Sequence, residues 1–252
     1  MKLLVFQHAA SGHPGSLRQQ LRSEGIAWDT VQLDEGGRIP PLEGYDMLWV
    51  MGGPMDVWDV EEHPWLIEEK RAIRHFVRGL ERPFLGVCLG HQLLADALGG
   101  TCGPQRPPEI GVLPVTLSGD GRGDPLFAGM AQTAKALQWH KVRVAEPPEG
   151  AVVLAGSPAC PCQAMRVGRW AYSLQFHVEV EPDTVKHWAR IPGYAHSLEK
   201  ILGPGSAPRL EQDADRAMGE LAASAAQLYR NFMGIARGEA RSCGSQARSR
   251  AE

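Results

Sequence analysis

Residues 83–92, Pro-Phe-Leu-Gly-Val-Cys-Leu-Gly-His-Gln, followed by Leu93-Leu94-Ala95-Asp96-Ala97-Leu98-Gly99-Gly100, constrain the chain more than any other stretch. The pattern predicts a buried strand holding Leu85 and Val87, a sharp turn at Cys88, a helix over Leu89 to Leu98 and a stop at Gly99-Gly100. Gly86 and Gly90 flank Cys88 two places to either side, the G-x-C-x-G form of a strand–turn–helix elbow. Side chains at 86 and 90 would obstruct so tight a turn. The turn holds the sulfur at a helix N-terminus, where unpaired N–H groups and the dipole favour a thiolate. The same N–H groups, Leu89's first, are placed to meet an oxyanion. Most lone cysteines are small buried hydrophobes. The two glycines between a strand and a helix set Cys88 apart from those.

Around this stretch the chain alternates strand and helix. Lys2 to Gln7 is an apolar run of strand length, as in a central parallel strand. The loop His8 to Gly15 leads to a helix over about Ser16–Ser23, ended by Gly25. Trp28 to Leu33 reads as a second strand, and the Gly- and Pro-rich stretch Asp34 to Asp46 as a loop. Met47 to Met51 is a third strand, stopped by Gly52-Gly53-Pro54. Pro64 opens a helix whose buried stripe runs through Trp65, Leu66, Glu69, Ile73, Phe76, Val77 and Leu80. Glu69 is the one charged residue on that stripe. This order implies an α/β fold, a parallel sheet covered by helices on both faces.

After Gly100 the texture changes. Glu109–Leu117, Leu137–Val144, Val152–Ala155, Gln163–Val167 and Trp170–Val180 read as short strands, with a hairpin tip at Gly168-Arg169. Asp183 is expected to cap a helix through His187 and Trp188. Apolar residues from Ala214 to Phe232 keep helical spacing within Glu211–Ile235, a long amphipathic helix that covers the core. One domain is expected over residues 1–236, closed by a helix at about 209–236, with 237–252 as a disordered tail.

The formal charge of −3 gives no electrostatic reason to expect nucleic acid or an anionic membrane as partner. No apolar run reaches the length of a membrane span, and Met1–Phe6 is too short for a signal-peptide core. Five cysteines at irregular spacing argue for a reducing cytoplasm rather than a disulfide framework. Cys160-Pro161-Cys162 lacks the C-x-x-C spacing, a second pair and a histidine at ligand spacing. It reads as structural, with no metal and no cofactor expected.

A cysteine nucleophile needs a base and a group to orient that base. Ser173-Leu174-Gln175-Phe176-His177-Val178-Glu179 supplies both. On a strand, residues i and i+2 share a face, so His177 and Glu179 are expected to project together. The carboxylate would take the proton of one ring nitrogen and leave the other for Cys88.

Gly86-Val87-Cys88-Leu89-Gly90-His91-Gln92, His177-Val178-Glu179 and Gly52-Gly53-Pro54, with Glu109-Ile110-Gly111 and Trp139-His140, closely resemble class I glutamine amidotransferases over about residues 45–190. The resemblance implies a flavodoxin-like three-layer fold: a mostly parallel central sheet, helices on both faces and a small antiparallel sheet. It implies a Cys88–His177–Glu179 triad and an oxyanion hole from the backbone N–H groups of Gly53 and Leu89. Gln92 would help hold the glutamyl part of the substrate, with Gly52, Trp139 and His140 at the pocket wall. The family usually has proline where this chain has Val178; the spacing survives. His91 is read as packing rather than as a base.

The implied activity is a cysteine-dependent hydrolase that cleaves a γ-glutamyl amide through a thioester, releasing glutamate and an amine or ammonia. Its partner is then a small γ-glutamyl substrate. One alternative is the glutaminase half of an amidotransferase serving a separate synthetase; another is an inactive binding protein on the same fold. The chain has no G-x-x-x-x-G-K-[ST] loop and, after Glu179, no expected room for a nucleotide-activating domain.

Overall fold

The computed structural model describes residues 1–239. In chain order the elements are β1 (Lys2–Gln7), α1 (Leu17–Ser23), β2 (Ala27–Gln32), β3 (Met47–Val50), α2 (Trp65–Arg74), β4 (Phe84–Val87) and α3 (Leu89–Ala97). There follow β5 (Thr101–Leu117), α4 (Gly119–Gly123), β6 (Thr133–Glu146), β7 (Ala151–Gly156), β8 (Ala164–Val167) and β9 (Ala171–Leu174). The helices α5 (Thr184–Trp188), α6 (Pro192–Leu202) and α7 (Ser206–Ala236) close the chain.

All nine strands belong to one sheet, in the order β2-β1-β3-β4-β9-β8-β7-β5-β6. The pairs from β2 to β9 are parallel and those from β9 to β6 antiparallel. The chain is therefore an α/β protein with helices on both faces, and its antiparallel strands continue the main sheet. The pleat sorts the core. Leu3, Val5, Trp49, Leu85 and Val87 face α1 and α7, packing with Leu17, Leu21, Tyr229 and Phe232. Leu4, Phe6, Leu48, Val50 and Phe84 face the other way, onto Leu66, Ile73, Leu93 and Leu94 of α2 and α3. A third cluster joins Ile110, Leu137 and Trp139 of the antiparallel strands to α5, α6 and the first turns of α7.

Around His177 two outcomes differ from the sequence pattern. The strand expected over Trp170–Val180 ends at Leu174, and beyond it only His177 bridges β6, at Leu137. Asp183 precedes α5 but makes no side-chain cap; the Glu181 N–H donates to Thr184 Oγ1 at 2.8 Å instead. The expected tail at 237–252 lies almost wholly outside the described residues. No helix of the described residues is long and apolar enough to cross a membrane.

Candidate active site

Cys88 links β4 to α3 with φ 54° and ψ −104°, outside the regions open to an L-residue. Holding it there costs about 1–3 kcal/mol, which the surroundings must impose. Its N–H donates to Leu174 O at 2.8 Å, and its carbonyl accepts from His91 and Gln92 N–H at 3.0 and 3.2 Å. The glycines make room. A Cβ on Gly86 would stand 2.5 Å from Gly90 O, and one on Gly90 would stand 2.0 Å from Val50 O.

His177 arrives by another route than strand alternation. Past β9 the chain leaves the ladder, and His177 N–H donates to Leu137 O at 2.9 Å. Glu179 then folds back. Its Oε1 accepts from His177 Nδ1 at 2.7 Å, and its Oε2 accepts the Val178 N–H at 2.9 Å. The Glu179 carbonyl accepts from Ser16 N–H at 2.9 Å, and Gly15 packs so closely that its Cβ would lie 1.7 Å from that oxygen. Trp188 meets the His177 ring edge-on, 4.4 Å between centroids. Cys88, His177 and Glu179 are all at least nine-tenths buried. Burial opposes charge on the His177 ring, but the negative charges of Glu179 and Cys88 outweigh it and raise the pKa to about 10. With Nδ1 taken by Glu179, Nε2 is the nitrogen left for the sulfur. Gly52 fits between the two groups: a Cβ there would stand 3.2 Å from His177 Cε1 and 3.5 Å from Cys88 Cβ.

A cavity of about 90 Å³ stands over Cys88, lined by Gly53, Leu89, Gln92, Trp139, His140 and Tyr194 among others. The amides of Gly53 and Leu89 have no acceptor among the described residues. Gln92 Nε2 donates to Val142 O and to Gln175 Oε1, both at 3.2 Å. Gln175 in turn points its Nε2 at Cys88 Sγ, 3.8 Å away. Gln175 carries no local sequence signal of this contact, although it stands two places before His177.

His140 Nδ1 donates to Val142 O at 2.9 Å, and its Nε2 stands 3.1 Å from Glu109 Oε2. Glu109 also accepts from Ser157 Oγ at 2.7 Å and Gln163 Nε2 at 2.9 Å. Burial works against the Glu109 charge, yet the His140 ring beside it and the Ser157 hydroxyl hold its pKa below the ordinary value. The sequence offered no histidine beside Cys160, but folding brings Glu109, His140 and Cys160 ligand atoms within 4.8 Å of one another. Burial, then the Glu109 charge, pushes the Cys160 thiol up to about 12. A protonated thiol beside a carboxylate engaged at both oxygens suits a hydrogen-bonded support for the cavity wall better than a metal site.

The remaining contributors come from α6. Tyr194 packs on Trp139 and Trp188, with centroid distances of 5.7 and 6.0 Å, and Gly193, Ser197 and Ile201 complete that side of the cavity. Burial, then the charges of Cys88 and Glu179, raise the Tyr194 pKa well above the ordinary value, so its hydroxyl keeps its proton.

The sequence pattern of the glutamine amidotransferase class-I family matches residues 11–188. The chain is 33% identical over 170 residues to the glutamine amidotransferase-like protein YfeJ of Salmonella typhimurium, covering 66% of this chain and 69% of that protein. It is 30% identical over 157 residues to a glutamine-hydrolyzing GMP synthase subunit of Sulfolobus acidocaldarius, covering 62% and 79%. Gamma-glutamyl peptidase 2 of Arabidopsis thaliana is 28% identical over 159 residues, covering 62% and 63%. Among solved structures, a glutamine amidotransferase from Thermotoga maritima superposes with a TM-score of 0.81 at 26% identity, over 94% of this chain and 98% of that one.

Proposed function

From the premise that this chain belongs to the class I glutamine amidotransferase family, we propose that it is a cysteine-dependent hydrolase of γ-glutamyl amides. The carrying observation is a strained Cys88 under a cavity, beside a histidine whose far nitrogen is held by a carboxylate at 2.7 Å. Cys88 attacks the δ-carbonyl of the γ-glutamyl group as a thiolate. The oxyanion is met by the Gly53 and Leu89 N–H groups, which need not reorganise to receive it. His177, already protonated, gives its proton to the departing nitrogen as the C–N bond breaks, which leaves a γ-glutamyl thioester and a free amine or ammonia. The ring, now neutral, takes a proton from water as that water attacks the thioester. Collapse releases glutamate and returns the thiolate–imidazolium pair. Glu179 keeps the ring in one orientation throughout.

Trp139, Tyr194 and Ile110 give the cavity an apolar and aromatic lining. It suits a substrate with an apolar or aromatic amine. The test is to incubate the purified chain with glutamine, γ-glutamyl dipeptides and N-alkyl and N-aryl γ-glutamyl amides, and to assay glutamate. Turnover of substituted amides by the chain alone is expected. Likeness to the GMP synthase subunit supports a second reading, a glutaminase that serves a separate synthetase. That reading predicts hydrolysis of glutamine only, raised by the synthetase. No glutamate from any substrate under either condition would sink both.

A further inference from the structure

Glu69 breaks the apolar stripe of α2, and its side chain is fully buried. Its partner is His8, the first residue after β1, equally buried. His8 Nε2 stands 2.8 Å from Glu69 Oε1, and His8 Nδ1 stands 3.2 Å from the Gly52 carbonyl oxygen. The Gly52 carbonyl can only accept, so Nδ1 donates to it, while Nε2 faces the Glu69 carboxyl, which favours charge on the ring. Burial opposes that charge, but Glu69 outweighs it and the His8 pKa lies above its ordinary value. The ring stacks on Trp65, 5.6 Å between centroids. Glu69 Oε2 has no partner among the described residues. A buried ion pair with an idle oxygen is poor material for packing alone, since apolar residues of similar volume usually serve stability at least as well.

The pair acts on a particular peptide. In a trans peptide the carbonyl of one residue and the N–H of the next point in opposite directions. His8 draws the Gly52 carbonyl to its own side, so the Gly53 N–H points away from His8, and Gly53 lines the Cys88 cavity. The loop leaves little slack. A Cβ on Gly53 would lie 2.7 Å from His8 Cβ, and one on Gly12 would lie 2.9 Å from Gly52 O. Were this peptide to turn over, a carbonyl oxygen would face the developing oxyanion in place of a donor.

We propose that His8, held by Glu69, is a positioning residue that locks the Gly52–Gly53 peptide with its N–H turned toward the oxyanion. This rests on the amidase reading of Cys88. Bond counting supplies the test: asparagine places a nitrogen where histidine has Nδ1, and glutamine places one where histidine has Nε2. His8→Asn therefore keeps a donor for Gly52, and His8→Gln keeps the link to Glu69 but drops Gly52. With the best γ-glutamyl amide as substrate, His8→Gln lowers kcat by about 10²–10³-fold, the loss of one oxyanion donor, with little change in KM. His8→Asn stays within about tenfold of wild type. Alkylation of Cys88 by iodoacetamide, followed by mass spectrometry, forms no oxyanion and proceeds at the wild-type rate in both.

Unchanged kcat in His8→Gln, or alkylation that falls in step with kcat, overturns the inference. Should His8→Gln not fold, Glu69→Gln carries the comparison: kcat falls at least about tenfold with alkylation unchanged, and a wild-type kcat overturns it. A wild type inert toward every γ-glutamyl amide overturns the amidase reading, and this inference with it. An active wild type with an indifferent His8→Gln overturns this inference alone.

Discussion

Four histidines are buried among the described residues, and the neighbours of three of them, His8, His91 and His177, act on their charge in different ways. His177 and His8 each face a carboxyl group that raises the ring's pKa. His91 faces the Ser173 hydroxyl at 2.8 Å and the Cys162 carbonyl at 3.2 Å; burial first, then the charge of His140, lowers its pKa to about 3. Two pH windows follow. His177 binds its proton more tightly when folded, so its contribution is complete below pH 6.5 and is lost as pH rises toward 10. His91 refuses a proton that the unfolded chain accepts, so its neutral burial costs increasing stability as pH falls from 6.5 toward 3. Urea unfolding across pH should give a shallower alkaline decline in His177→Gln than in wild type, and a shallower acid decline in His91→Gln. Parallel curves would contradict the assigned protonation states.

The strain at Cys88 makes its own prediction. Cys88→Gly should abolish turnover yet raise stability by about 1 kcal/mol over Cys88→Ala, because only glycine rests easily at φ 54°. A glycine variant that melts below the alanine variant would contradict it. At this scale the sequence showed Cys88 well, since the turn's steric demands leave two glycines as a local trace. His8, Gln175 and Tyr194 leave no such trace: each matters through a partner far along the chain. Glu69 was visible as a misfit on an apolar stripe, but its partner was not.

Elements built from local signals were legible, and those shaped by distant contacts were less so. The strands β1, β3 and β4 announce themselves as continuous apolar runs because both faces are buried. The apolar pattern that suggested a strand to Val180 continues past Leu174, while the ladder stops there because the chain turns to meet Leu137. Glu179 thus reaches His177 by a bent backbone, a result that strand alternation anticipated for the wrong reason. The helix α6 went unread because it opens on Pro192-Gly193, residues that signal a loop; Pro192 is tolerated in the first turn, where no intrahelical N–H is needed.

Glycines mark the extremes of tolerance within elements. Gly90→Ala pushes a Cβ into the Val50 carbonyl and should cost at least about 3 kcal/mol or prevent folding. Gly219 lies on the exposed side of α7 with open space around it, and Gly219→Ala should add about 0.5–1 kcal/mol. Chemical denaturation of the two variants checks both. A stable Gly90→Ala protein would mean that the tight β4–α3 approach is not needed.

For the whole molecule, the cavity over Cys88 is about 90 Å³, well below the 300–1,000 Å³ usual for small-molecule sites. Tyr194, Ser197 and Ile201 of α6 line one side of that cavity. We predict that this helix shifts as substrate enters. Alkylation of Cys88 with a glutamine-like reagent should change hydrogen exchange over residues 192–202 while leaving β1, β3 and β4 as they were. Unchanged exchange in that helix would mean that access lies elsewhere.

The sheet itself decides how the two reacting groups meet. Cys88 follows β4, His177 follows β9, and these strands are neighbours, with Val87 paired to Leu174 and the Cys88 N–H bonded across. The polypeptide makes a long excursion through β5 to β8 before it returns, but it departs from and comes back to adjacent rungs. The hairpin tips on that excursion can therefore lengthen or shrink as long as these rungs, and the Leu137 carbonyl that holds the His177 N–H, stay in place. On the proposed function, the tips of those hairpins are mechanically uncoupled from the chemistry, which leaves amine specificity free to diverge around a fixed reaction geometry.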